Sequence, residues 1–165
     1  MKLPIRVGVV IRTVTLQIKT KNIYIIRLSN KKIGHITRVE KYWFVDMAFS
    51  DFKCIFRHHS LREVCRRIVR VVTGALRIHV AEARQRIIAE FDPSYTTNFY
   101  LVRSMARSYP NLSAASARTA ALWEVQMELA SLMQELAILG VARTSLELPP
   151  VEKAGSTSRL TLSLP

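Results

Sequence analysis

Five arginines stand at steps of four and seven along one stretch of the chain: Arg62, Arg66, Arg70, Arg77 and Arg84. If residues 60–90 form one helix, they fall within an arc of roughly 80°. A guanidinium is a planar fork of donors matched to phosphate oxygens, so a row of five on one flank is chemistry for a polyanion. Solvated helix faces usually mix both signs, whereas no acid sits within this stripe. A second basic set, Arg27, Lys31, Lys32, Arg38 and Lys41, is interleaved with Tyr24, Tyr42, Trp43 and Phe44. Cations beside aromatics suit nucleic acid, where stacking and charge act together, and Tyr42 and Trp43 are the stacking candidates. Strand neighbours point to opposite faces, so either Trp43 or the Tyr42/Phe44 pair must leave the core.

Two further clusters carry other chemistry. Asp46 with Asp51-Phe52-Lys53 echoes the acid plus acid-x-lysine pattern of Mg²⁺-dependent nucleases, in which carboxylates hold a hard cation. Cys54, His58, His59 and Cys65 are four zinc-competent side chains within twelve residues. Neither cysteine has a partner at zinc-knuckle spacing, and Cys65 falls on the apolar side of the helix, so both cysteines read as small core residues. There is no glycine-rich phosphate loop, nucleophile elbow or HExxH motif. The expectation is a protein without metal or cofactor.

The charge is lopsided. The 165 residues carry a formal net charge of +13. Residues 1–91 hold 19 Lys/Arg against 6 Asp/Glu, and residues 92–165 hold 6 of each, so the whole excess lies in the first part. Such a field favours a polyanionic partner there and a different task for the remainder. A hydrophobic content of 49% excludes wholesale disorder. No stretch of about 18 residues is free of charge, which excludes a spanning helix and gives no membrane partner. Two cysteines are too few for a disulfide framework, and Arg6 and Arg12 interrupt the apolar run that a signal peptide needs. The expected setting is intracellular, either cytoplasmic or nucleoid-associated.

The elements that must position these groups follow from hydrophobic periodicity. Residues 5–56 read as strands joined by connections too short for parallel crossovers, hence an antiparallel meander. Ile5, Val7, Val9 and Ile11 alternate in one phase and Val14, Leu16 and Ile18 in the other, which predicts a bulge, bend or strand break near Arg12-Thr13. Ser29-Asn30-Lys31-Lys32 reads as a turn. Ser60-Leu61-Arg62-Glu63 reads as a capping box opening a helix that is secure over 60–73 and continues past Gly74 to about Glu90. A second helix is expected over 94–108 and a third over about 113–139, with Gly140 as its C-terminal cap. In the third helix Leu122, Val125, Leu129, Leu132, Leu136 and Leu139 form an a/d seam, read as an interface for self-association, a protein partner or an intrachain hairpin with 94–108. Beyond Val141 the chain reads as a mostly irregular tail, whose final Arg-Leu-Thr-Leu-Ser-Leu has a strand-like alternation.

Over about residues 22–72, the strand order with Trp43-Phe44-Val45-Asp46 ahead of Ser60-Leu61-Arg62-Glu63-Val64-Cys65 is similar to two groups of three-stranded-sheet DNA-binding domains. These are the plant ethylene-response factors and the phage integrase arm-binding domains. The resemblance implies a sheet laid in the major groove and backed by a helix, although the glycine-rich hairpin of the plant family is missing. The fold expected is therefore α+β. Residues 1–91 would form a basic sheet-plus-helix domain, 92–140 a helical packing or assembly region, and 141–165 a tail. The function expected is non-enzymatic binding of DNA or RNA. The alternatives are a protein-interaction module that docks on an acidic protein, such as a small phage-type inhibitor or a ribonucleoprotein or viral subunit, and then a nuclease.

Overall fold

The computed structural model describes residues 1–90 and 99–144, without the side chains of residues 99–102 and 106. Six strands follow one another: β1 (Lys2–Val7), β2 (Val10–Thr20), β3 (Ile23–Leu28), β4 (Lys31–Val39), β5 (Tyr42–Phe49) and β6 (Phe52–His58). They lead into α1 (Leu61–Ala89), α2 (Phe99–Ser108), α3 (Ala114–Ile138) and a short β7 (Val141–Arg143). Every strand pairs antiparallel with its neighbour in sequence, and β7 closes the order beside β6 in one curled seven-stranded sheet. The fold is thus α+β, an N-terminal meander followed by helices. Register shifts between Ile18 and Thr20 and between Ile26 and Arg27 add local twist, which favours curling.

The turns explain where the apolar phase changes. Gly8, with φ +56°, turns β1 into β2, so the break lies at Gly8-Val9 rather than near Arg12-Thr13. Val9 is left at the exposed hairpin tip and Ile11 on the outer face. Ser29 and Asn30 both have positive φ, the two-residue hairpin geometry that matches strand twist, and Lys31 and Lys32 already belong to β4. Val141–Arg143 is strand rather than tail. The expected boundary at Asp92-Pro93 and the alternating 159–164 segment lie outside the described residues.

Inward-facing side chains of the sheet, among them Val14, Leu16, Ile26, Ile36, Val45 and Met47, form one core with Val64, Ile68 and Val72 of α1. At the far edge Phe52 of β6 meets Ala75 and Ile78 of α1 and Leu132 and Leu136 of α3. Further along, Ala81 and Ile88 of α1 pack with Ala117, Ala121 and Val125 of α3. The helix therefore serves both the sheet and the helical region.

The predicted seam is spent on this contact. Val125, Leu132 and Leu136 are buried, with Leu122, Leu129 and Leu139 packed partly against the same clusters. Among the described residues the seam packs mainly on α1, and Met105 of α2 joins the Ala117–Val125 end. Two arginines tie the pair at both ends. Arg67 of α1 donates to the Leu139 carbonyl that ends α3, at 2.6 Å, and Arg118 of α3 donates to the Ile88 and Ala89 carbonyls that end α1. Each cation thereby meets the partially negative end of the opposite helix.

Close approach dictates two glycines. A Cβ on Gly34 would lie 2.6 Å from the Met47 Cα, against backbone that has no freedom to give way. A Cβ on Gly74 would lie 2.7 Å from Leu136 Cδ2, the tip of a side chain able to rotate. Gly34→Ala should therefore cost at least about 1–3 kcal/mol. Gly74→Ala should cost less, because its clash is offset by about 1 kcal/mol of helix propensity. Urea denaturation of both variants checks the order, and a Gly34→Ala protein as stable as its parent would contradict the packing.

Candidate nucleic-acid interface

The capping box does not form. The Ser60 amide donates to His58 Nδ1 at 3.0 Å, and the Ser60 side chain makes no cap hydrogen bond. With the cap amide already engaged, Glu63 turns outward to Arg66, 2.5 Å away. The helix still starts at Leu61 and runs unbroken through Gly74 for 29 residues. Continuity matters, because only an unbroken helix keeps Arg62 and Arg84 in phase.

All five stripe arginines are exposed. The sheet takes one side of α1 and α3 takes a second, so the remaining flank carries Arg62, Arg66, Arg70 and Arg77 with Thr73 among them. Arg62 to Arg77 spans about 22 Å along the helix axis. Among the described residues Arg62, Arg70 and Arg77 make no ion pair, whereas Arg66 pairs with Glu63 and Arg84 with Glu128 at 3.4 Å. The lower end is less purely basic, since Val80 and Ile87 are exposed beside Arg77 and Arg84. A cleft of about 670 Å³ flanks the stripe on the β1 side, with Leu3, Leu61, Cys65 and Val69 in its walls. A second cleft, of about 440 Å³, flanks it on the α3 side, between Thr73 and Leu136.

The sheet cations divide between its two ends. In a meander, turns alternate from end to end, so the Lys21-Asn22 and Glu40-Lys41 turns share the end where α1 begins. Arg38, Lys41, Tyr42 and Arg57 gather there. Lys41 and Arg57 lie over the Tyr42 ring, at 5.7 and 5.2 Å from its centroid, on the outer face. Lys31 and Lys32 sit beside the Ser29-Asn30 turn at the opposite end. Arg27 is held near that turn by bonds to Gln17 Oε1 and the Asn30 carbonyl. The structure therefore does not bring Arg27, Lys31 and Lys32 to the α1 N-terminus.

Trp43 is not an outward stacking residue. Its side chain points inward, edge-on to Tyr24 at 5.7 Å and beneath Arg38, and it is 9% exposed. A base reaches it only by opening the core, which leaves Tyr42 as the outward aromatic. The sheet also has seven strands instead of three, and its concave face is filled by α1.

The metal-site patterns do not assemble. Asp46 is exposed on the outer face opposite Ile55, while Asp51 is buried at the β5–β6 turn. Cys54 faces the core from β6 and Cys65 from α1, and burial pushes both thiols up. His58 stacks on His59, and its Nδ1 is taken by Ser60. Among the described residues no three His, Cys, Asp or Glu side chains are arranged so that they could hold a metal ion.

A polar cluster that sequence reasoning missed surrounds Asp51. Arg143 Nε donates to Asp51 Oδ2, and Arg143 also meets Glu82 at 2.6 Å. His79 stands 3.5 Å from Asp51 Oδ1 and 3.6 Å from Glu82, edge-on to Phe49 and Phe52. The group joins β7, the β5–β6 turn and α1. Its residues lie up to 92 positions apart, so no local spacing signals it. Comparison with family models, curated proteins and solved structures finds no match for this chain.

Burial works to raise the Asp51 carboxyl, but the Arg143 hydrogen bond, a backbone donor and the charges of Arg143 and His79 outweigh it and hold the group below 3.8. A folded value below the unfolded one gives stabilisation that is complete above about pH 4 and lost as pH falls through the folded value. The urea midpoint should drop in that acid window, and Asp51→Asn should flatten the drop. Arg143→Ala should cost about 1–3 kcal/mol at pH 7, less than a fully buried pair because Arg143 is about one-third exposed. An unchanged acid profile in Asp51→Asn would show that the carboxylate contributes nothing.

Proposed function

We propose that this protein binds nucleic acid without chemical turnover, through the exposed arginine flank of α1. The carrying observation is that Arg62, Arg70 and Arg77 lie on one flank of one continuous helix, exposed and without an ion pair among the described residues. Arg66 joins them by exchanging Glu63 for a phosphate. Lys41 and Arg57 around Tyr42, with Arg38 over Trp43 on the other face, extend the positive potential at the helix N-terminus, where a base can stack on the tyrosine. The charge excess in residues 1–91 supports the same polyanion. Guanidinium–phosphate contacts fix position and carry no sequence information by themselves, so the expected binding is weakly selective.

Labelled single- and double-stranded DNA and RNA titrated across a salt series, with and without Mg²⁺, test this. Three to five neutralised phosphates on duplex predict log K falling with log salt at a slope between about −2.7 and −4.5. In an R62A/R70A/R77A variant the slope should flatten by about 2.7, and affinity should fall on all sequences alike. A parent protein with flat salt dependence would contradict the reading. Cleavage in Mg²⁺ would replace it with a nuclease, and equal competition by polyglutamate would move it to an acidic protein partner.

A further inference from the structure

We infer that the cleft between the start of β1 and the N-terminal half of α1 binds an alkyl-chain anion, its chain along the floor and its carboxylate or phosphate head on Arg62 and Arg70. The cleft measures about 670 Å³, within the range of small-ligand sites. Its walls are Met1, Leu3, Leu61, Cys65 and Val69, and its charged groups are Arg62, Arg66 and Arg70 with the Met1 ammonium, which donates to the Leu16 carbonyl. Among the described residues no aromatic ring and no carboxylate lines it. That composition discriminates between occupants. A nucleobase needs a ring to stack on or polar partners for its edges, and this floor offers aliphatic carbon and one thiol kept neutral by burial. A saturated chain asks for nothing else, and each methylene it buries contributes about as much as one buried in a protein core. Cations on the rim then select a negative head over a neutral or positive one. Arg62 and Arg70 are suited to this role because no internal carboxylate occupies them among the described residues.

The inference goes beyond nucleic-acid binding, although the two ligands share Arg62, Arg66 and Arg70. The test is run without nucleic acid, so either reading can fail alone. Dodecyl phosphate below its micelle threshold, followed by calorimetry, should bind saturably at one per chain, and dodecyltrimethylammonium should not. Val69→Phe, which fills the floor, and the surface double variant R62A/R70A should each weaken binding about tenfold or more. R62A/R70A touches no core position, so it stays informative if Val69→Phe folds poorly. Phosphatidylglycerol vesicles separate the sources of the ligand. Capture of vesicles that Val69→Phe abolishes points to a chain presented by a membrane, and binding of dodecyl phosphate without vesicle capture points to a free amphiphile. Equal binding of the cationic detergent, undiminished binding by a folded Val69→Phe, or no saturable binding at millimolar dodecyl phosphate would overturn the inference.

Discussion

Burial of α1 on two sides is the constraint from which the rest follows. The sheet takes Val64, Ile68 and Val72, while α3 takes Ala75, Ile78 and Ala81. A helix gripped over so much of its circumference has only a narrow strip left for water, and whatever the sequence places there is displayed along a straight, rigid line. Here the strip holds arginines at about one per turn over its first half. Without α3 the helix would expose an apolar flank beside the basic one, and without the sheet it would have no fixed rotation. The electrostatic surface is therefore a product of hydrophobic packing.

The same packing sorts the arginines, which composition alone treats as equal. Arg67 lies over the Phe56 ring, 4.3 Å from its centroid, and bonds to the end of α3. Arg118 closes the end of α1, and Arg143 neutralises Asp51 and Glu82. These three are fasteners: Arg67 and Arg118 satisfy carbonyls at helix ends, and Arg143 satisfies two carboxylates. Arg62, Arg70 and Arg77 have no such task among the described residues. Arg66 and Arg84 hold weaker exposed pairs, of the kind that exchanges readily for another anion.

Much of this was readable from the sequence, for identifiable reasons. The meander follows from connections too short to cross over, and the length of α1 from apolar residues that keep helical phase through Gly74. The existence of α3 follows from its Leu/Ala seam. The sequence misled where a competing neighbour or a distant group decided the outcome. Ser60 and Glu63 have the types of a capping box, but His58 takes the amide first. The alternation around residues 5–18 points to Arg12-Thr13, yet Gly8 alone has the freedom to turn there. Trp43 and Tyr42 are equal candidates until the curl of the sheet decides which one faces α1. Asp51 gives no local hint of Arg143, because the two meet only once β7 joins β6. The seam of α3 identifies a helix that needs a partner without saying which one.

Arginine-specific modification by a dicarbonyl reagent, read residue by residue by mass spectrometry with and without a saturating oligonucleotide, tests the central claim most directly. The packing predicts that Arg62, Arg70 and Arg77 react fast in the free protein and are protected together by the oligonucleotide, while Arg67 and Arg118 react slowly in both samples. Fast modification of Arg67 would contradict the buried placement of α1. Arg62, Arg70 and Arg77 that stay equally reactive when the oligonucleotide is bound would contradict their role as its docking surface.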